Sequence, residues 1–448
     1  MTSFSRTRPV GMLAHPVAIM AGYWLLLYFG YAIAPVTQTP SPSIDGFLFN
    51  FFFVLVYAAA CWMGIEHFSR PSASPNEGFA VDKEPANAHL VGILALVGCT
   101  GAILGIIDKI GGAQLELLID AASLRNERAQ LLLTAEPNPG GVVSAVAFLI
   151  YPAGYAAVYT AMLSFERLPA RIGNLALLFV PLAFIQSVAA GGRSGILVLL
   201  ILIGVVAHVR RFRGQSAIPR AYVVSLMGWL LIVAFIAYSS AVWFVRSELS
   251  GLTIDAFLDH AELSWGVTPT WLLEAVAAEV GGPALIQSVM STTFYFTQSL
   301  SVTEKLMSMS SVPTLLGGYH IDIVAAAMRA DPVSREFLSS GYANLLDASV
   351  YGFFTGAWSA LLIDFGWPGA VAFTVVWGLL AGRAYQALKR EGTDAQAVFY
   401  GFWIYATFIS FVSPPLGFSN SATTFVWFLV CVLFLQSNKP PKRVPVPR

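Results

Sequence analysis

The chain has 448 residues, of which 56% are hydrophobic and only 11% charged, with a mean hydropathy of +0.69. Soluble domains carry about a quarter charged residues, so the composition excludes one; apolar blocks of roughly 20 residues fit membrane-crossing helices and not the alternating strands of a barrel. Twenty-five basic and 25 acidic residues cancel, so net charge points to neither nucleic acid nor an acidic substrate.

Taken in chain order, the apolar blocks predict spans near 14–34, 46–65, 89–107, 141–163, 174–190, 194–208, 221–243, 367–385, 395–412 and 421–436. The first block follows Arg6 and Arg8 as a signal peptide would, but it outruns the ~7–15 apolar residues of one, so it reads as an uncleaved span. Cys61, Cys99 and Cys431 all fall inside apolar blocks with no C-x-x-C pairing, which predicts core packing and neither zinc nor redox chemistry. With a cytoplasmic N-terminus, alternation puts 17 of the 25 Lys and Arg residues inside and eight outside. That bias, which sets orientation in polytopic proteins, predicts both termini in the cytoplasm. Seven acidic residues then lie inside and 18 outside.

Two outer segments stand out. Residues 114–134 place Glu116, Asp120, Ser123, Glu127 and Gln130 on one helical stripe, which predicts an amphipathic helix on the outer surface. Residues 244–366 are far longer than an ordinary connection, and long loops tend to carry function. Within them 283–300 is apolar with scattered Ser and Thr, fitting an extra span, a re-entrant helix or a half-buried one. The expected organisation is a polytopic all-α bundle of about ten spans, or twelve: N-terminal spans over 1–243, a large outer loop over 244–366, and C-terminal spans with a cytoplasmic tail over 367–448. Only 69–77 and the tail 439–448 have a disordered composition.

Nucleotide, dinucleotide, zinc-protease and serine-hydrolase motifs are all missing from the sequence, so energy must arrive with the substrate or an ion gradient. Gly191-Gly192-Arg193-Ser194-Gly195 sits between two apolar blocks on the outer side. An arginine at that depth needs a partner, and flanking glycines expose amides suited to an anion such as a pyrophosphate; a tight hairpin with an interfacial arginine is the plainer alternative. Arg246, in Trp243-Phe-Val-Arg-Ser-Glu248, leaves the membrane outward against the positive-inside bias and suits either a phosphate or Glu248. Arg329 and Arg335, in Met328-Arg-Ala-Asp-Pro-Val-Ser-Arg-Glu336, fit a surface salt-bridge set with Asp331 and Glu336 better than a site. Asp255 and Asp259, one helical turn apart beside His260, lack the ligand cluster a metal site requires. Asp364, in Leu362-Ile-Asp-Phe-Gly-Trp-Pro-Gly369, stands at the outer mouth of a span as either a reactive carboxylate or the cap of a helix beginning near Trp367.

The Gly-Arg-Ser hairpin, the arginine at the next outward exit, the long outer loop, and the Leu-x-Asp-Phe-Gly-x-x-Gly segment before a span ending Gly382-Arg-Ala-Tyr385 together resemble the oligosaccharide repeat-unit polymerases (O-antigen and exopolysaccharide, Wzy-type). The resemblance covers chiefly 187–250 and 340–390. It implies a GT-C-like fold in the bacterial inner membrane and a glycosyltransferase acting at the periplasmic face. The enzyme would move a growing glycan from one undecaprenyl-pyrophosphate carrier onto a new lipid-linked repeat unit, in contact with membrane lipid and needing no cofactor or metal. A chain-length regulator and a flippase are the implied protein partners. In that chemistry Arg193, Arg246, Arg329 and Arg335, with Gly192 and Ser194, bind pyrophosphate or glycan, and cations stabilise the leaving anion. Asp364, Glu262, His260 and His320 are the candidates for the base that accepts the acceptor hydroxyl's proton. A ligase acting on finished glycan is the nearest alternative. A transporter or flippase would show internal duplication and mid-membrane polar residues, which the sequence lacks, and an assembly subunit would use the outer loop for docking.

Overall fold

The computed structural model describes residues 15–67, 87–112, 141–189, 194–219, 222, 224–233, 254–417 and 420–437. Its elements are α1 (Pro16–Ala32), β1 (Val36–Gln38), α2 (Ile44–His67), α3 (Ala88–Gly112), α4 (Val142–Ile150), α5 (Ala153–Leu163), α6 (Ala170–Ala189), α7 (Ser194–Phe212), α8 (Val224–Val233), α9 (Ile254–His260), β2 (Val267–Pro269), α10 (Trp271–Val280), α11 (Gly282–Met307), α12 (Asp322–Ala330), α13 (Pro332–Asp347), α14 (Gly356–Glu391), α15 (Asp394–Ile409) and α16 (Ser421–Ser437). The described residues are therefore helical apart from one two-stranded ribbon and the connections.

Every apolar block falls on helix over its described residues. Among the described residues six helical segments are long and apolar enough to cross a membrane: Ile44–His67, Ala88–Asp108, Val142–Leu163, Ala170–Ala189, Ser194–Phe212 and Gly356–Glu391. α1, α8 and α16 are apolar but shorter. Two blocks differ in form from the expectation. The block at 141–163 is interrupted at Tyr151 and Pro152, because proline lacks the amide that would continue the helical ladder. The block at 367–385 lies within the much longer α14, which turns sharply at Gly366, whose φ of 62° and ψ of −177° are not helical.

Burial explains how the helices associate. On α2, Phe49, Phe53, Tyr57 and Cys61 recur every four residues and are buried, while Leu48, Phe51, Phe52, Leu55 and Trp62 are exposed on other faces. An apolar helix with one packed stripe and exposed apolar side chains suits a lipid surround. The packed stripe meets α14, where Gly378 and Gly382 form a small-xxx-small pair. A Cβ on Gly378 would lie 2.5 Å from the Tyr57 carbonyl oxygen, and one on Gly382 would lie 2.1 Å from that of Cys61. The two backbones approach this closely only because neither position carries a side chain. Cys61, Cys99 and Cys431 are free and buried, in line with core packing.

The two ends of the bundle collect different connections. At one end, Arg167 donates through Nη2 to both Asp394 oxygens at 3.1 and 3.0 Å. Arg213 Nη1 lies 2.8 Å from Asp394 Oδ1, and Arg210 reaches Glu166 at 3.1 Å and the Met162 carbonyl at 2.7 Å. The residues expected inside, from the α5–α6, α7–α8 and α14–α15 connections, thus pair at one end of the bundle, in a largely buried set around Asp394 and in the Arg210–Glu166 pair, whose glutamate is exposed. At the other end, β1 pairs antiparallel with β2, Val36 opposite Pro269. The Ser43 amide donates to Glu304 at 2.7 Å and the Asn420 amide to Asp322 at 3.4 Å. Connections expected outside therefore also share one end.

The segment expected as a long loop is instead largely helical over 254–347. Within it 283–300 belongs to the single continuous 26-residue helix α11, about 39 Å long at 1.5 Å per residue. It docks through polar contacts: Gln298 Oε1 accepts from the Phe354 amide at 3.2 Å, and Thr303 Oγ1 lies 2.9 Å from Ser359 Oγ. The 114–134 helix and the segments 69–77 and 439–448 lie outside the described residues.

Candidate functional site

Asp364 is fully buried near the end of the first limb of α14. It does not cap the helix after Gly366. Its carboxylate is turned onto another segment: Oδ1 accepts from the Tyr319 amide at 2.9 Å and Oδ2 from the His320 amide at 3.2 Å. The Asp364 carbonyl accepts from the Leu316 amide at 2.6 Å, and that of Ile363 from Leu315 at 2.9 Å. Leu316 and Gly317, both at positive φ, fold residues 315–320 back so that successive amides converge on one carboxylate. A buried carboxylate is tolerated there because its oxygens receive charge-assisted hydrogen bonds.

The same clasp positions His320. Its Nδ1 lies 3.4 Å from Asp364 Oδ2, its Nε2 lies 2.8 Å from Thr355 Oγ1, and its side chain is 11% exposed. Nδ1 makes no hydrogen bond of its own, so the Asp364 carboxylate acts on the ring by proximity and through its hold on the His320 amide, while the direction of the Nε2–Thr355 hydrogen bond follows the tautomer. Carboxylate, imidazole and hydroxyl thus stand in sequence, an order in which a buried acid placed by the His320 backbone can support an imidazole base. A Cβ on Gly417 would come within 3.0 Å of His320 Cβ, so the 413–417 turn forms the other wall.

Around the imidazole stand three tyrosines. The Tyr319 ring meets that of His320 edge to face at 4.3 Å, and Tyr342 and Tyr351 lie 6.1 and 5.9 Å from Tyr319. Burial first, then the neighbouring phenol of Tyr351 and the Asp364 charge, push the Tyr319 phenol far above its usual range; burial raises Tyr342 and Tyr351 as well. These phenols remain neutral, serving as donors and flat apolar surface and not as phenolate nucleophiles. Tyr342 donates to the Gly318 carbonyl at 2.6 Å.

A cation completes the group. Arg329, at the end of α12, lies beside the Tyr342 phenol, and its Nε is buried without a hydrogen-bond partner. Asp322 interacts electrostatically with both Arg329 and His320. The expected salt-bridge set around Arg329 does not form. The Asp331 carboxylate caps α13, accepting from the Ser334 amide at 2.8 Å, and Arg335 donates through Nε to the Arg329 carbonyl at 3.0 Å. Capping and carbonyl contacts engage these groups, and among the described residues neither guanidinium forms an ion pair with the Asp331 or Glu336 carboxylate, although the Arg335 charge acts on Asp331.

The remaining candidates are dispersed. His260 is exposed and packs edge on against Trp265 at 5.8 Å. Glu262 lines a separate cleft beside Lys305 and Asp347. Ser194 opens α7, and a Cβ on the next residue, Gly195, would fall 2.5 Å from Ser187 Oγ, so that glycine serves close packing. Gly192, Arg193 and Arg246 lie outside the described residues, as does the side chain of Asp255. Sequence reasoning missed Thr355, the three tyrosines and Asp322. The one local signal was the Gly317-Gly318-Tyr319-His320-Ile321-Asp322 run, whose paired glycines mark a tight fold-back next to titratable groups.

Compared with protein-family models, with curated proteins and with solved structures, the chain finds no match.

Proposed function

We propose that the protein is a membrane glycosyltransferase that polymerises undecaprenyl-pyrophosphate-linked repeat units at the periplasmic face of the bacterial inner membrane. On this reading the chain has about ten spans in a GT-C-like arrangement, with both termini cytoplasmic and the His320 end of the bundle outside. The observation that carries the reading is the buried Asp364 clasp, which holds His320 with Nε2 against a hydroxyl. An acceptor sugar hydroxyl replacing Thr355 at Nε2 would give up its proton there as its oxygen attacks the anomeric carbon of the carrier-linked glycan. The anomeric C–O bond to pyrophosphate breaks in the same step, and the carrier leaves as its anion. Asp364 steadies the imidazolium and Arg329 adds positive charge nearby, with Arg193 and Arg246 assigned to the pyrophosphate from the sequence. His320 is thus preferred as the base, and Asp364 positions it.

The test is the carrier-linked glycan pool of a gene deletion complemented with variants. Deletion should accumulate single repeat units, and His320→Gln should do the same at wild-type protein level. Long carrier-linked polymer in the deletion would instead identify a ligase, and an unchanged pool would end the enzyme reading.

A further inference from the structure

A second gathering of polar groups lies apart from His320. A cleft of about 650 Å³ opens between the turn Ala261–Trp265, the end of α11 and the end of α13. Its polar lining is Thr39, Glu262, Thr268, Lys305, Ser308 and Asp347, with Leu263 and Met309 as apolar patches. Glu262, Asp347 and Lys305 make no ion pair among the described residues, although opposite charges line the same cleft. The Lys305 ammonium instead rests over the Phe353 ring, 5.4 Å from its centroid. Two acceptor carboxylates, one donor ammonium and several hydroxyls around a partly apolar floor match a ligand that alternates hydroxyls with C–H faces.

The cleft is also continuous in chain with the candidate site. Asp347, Ala348 and Ser349 line it, Tyr351 joins the tyrosine cluster, and Thr355 touches His320. One stretch of nine residues, 347–355, thus forms a wall of both.

We propose that this cleft is a saccharide subsite that holds uncharged or amino-bearing sugars of the glycan next to the reacting residue. The glycan assignment rests on the polymerase reading, whereas the charge preference follows from the cleft. Two carboxylates against one ammonium leave a net charge of −1, which repels a uronate and favours a neutral or cationic sugar.

The test uses full-length protein in nanodiscs and three probes, N-acetylchitotetraose, tetraglucosamine and tetragalacturonate, with binding followed by saturation-transfer NMR. The neutral or the amino tetramer should bind about tenfold or more tightly than the uronate. The double variant Glu262→Gln/Asp347→Asn, both positions being exposed, should keep the wild-type unfolding midpoint, weaken the preferred probe by about fivefold or more and abolish the discrimination against the uronate. In cells the same variant should shorten the polymer. Tightest binding of tetragalacturonate, no binding of any probe, or unchanged binding in the double variant would each overturn the subsite. If single repeats accumulate in the deletion but the probes fail, the subsite alone is wrong; if the deletion makes normal polymer while the probes bind as expected, the polymerase reading alone is wrong.

Discussion

Asp364→Asn separates two physical pictures of one residue. A carboxylate that merely caps a helix tolerates asparagine at almost no cost. The observed carboxylate instead accepts the Tyr319 amide on one oxygen and the His320 amide on the other, and is itself fully buried. Asparagine keeps one acceptor oxygen, but its NH2 group then points at an amide N–H, setting two donors face to face. The loss is one charge-assisted hydrogen bond, about 1.5–3 kcal/mol, together with part of the ~1–3 kcal/mol cost of a stranded buried donor. A total of about 2–4 kcal/mol follows, a thirtyfold to several-hundredfold shift in the folding equilibrium. Thr355→Val, which leaves the clasp intact and removes one hydroxyl, should cost about 1 kcal/mol. Unfolding midpoints in nanodiscs, measured alongside polymer formation, decide the matter: Asp364→Asn should be much the less stable and should lose polymer, whereas Thr355→Val, whose hydroxyl the acceptor replaces, should keep making it. An Asp364→Asn protein as stable as wild type would refute the clasp.

Gly382→Leu should separate α2 from α14 and lower stability by at least the ~1–3 kcal/mol typical of overpacking, whereas Gly22→Ala, whose added Cβ would meet nothing within 4 Å, should be silent; equal unfolding midpoints for the two would remove the close-packing argument. Asp394→Asn leaves Arg213 and Arg167 in a buried site without their shared carboxylate, so unfolding should become easier by about 3–5 kcal/mol, which denaturant titration would detect. Burial holds the Lys305 ammonium below the usual lysine value of 10.5, so the folded protein binds fewer protons than the unfolded chain between the two values and this residue's penalty shrinks as pH rises through that window. Lys305→Met should therefore stabilise the protein near neutral pH, with a gain that fades as pH approaches 10.5; a gain growing with pH would contradict that sign. A cysteine at exposed Ser340, with the three native cysteines buried, should react with an impermeant thiol reagent from the periplasmic side, and protection until the inner membrane is opened would reverse the proposed orientation.

Hydropathy located the helices because span length and apolar composition are local properties, legible in about 20 consecutive residues. For the same reason Cys61, Cys99 and Cys431 were recognisable as core. Glu166, Arg167, Arg210, Arg213 and Asp394, all expected on one side, do gather at one end of the bundle. The site was another matter. Asp364 and His320 were both visible as candidates, but nothing in the sequence joined them across 44 positions, and the local Gly-Trp-Pro-Gly context of Asp364 suggested a cap. The amides of the 315–320 fold-back decided its role, because a buried carboxylate turns to whichever donors the tertiary fold brings within reach. Arg329 shows the same limit in reverse. Charges spaced a few residues apart read as surface pairs, yet Asp331 was consumed by the helix start it caps and Arg329 came to lie against Tyr342. The sequence by itself determined where the apolar helices lie, because that is a local property of composition. Only the tertiary structure decided which polar groups meet, since those contacts depend on backbone directions set by distant packing.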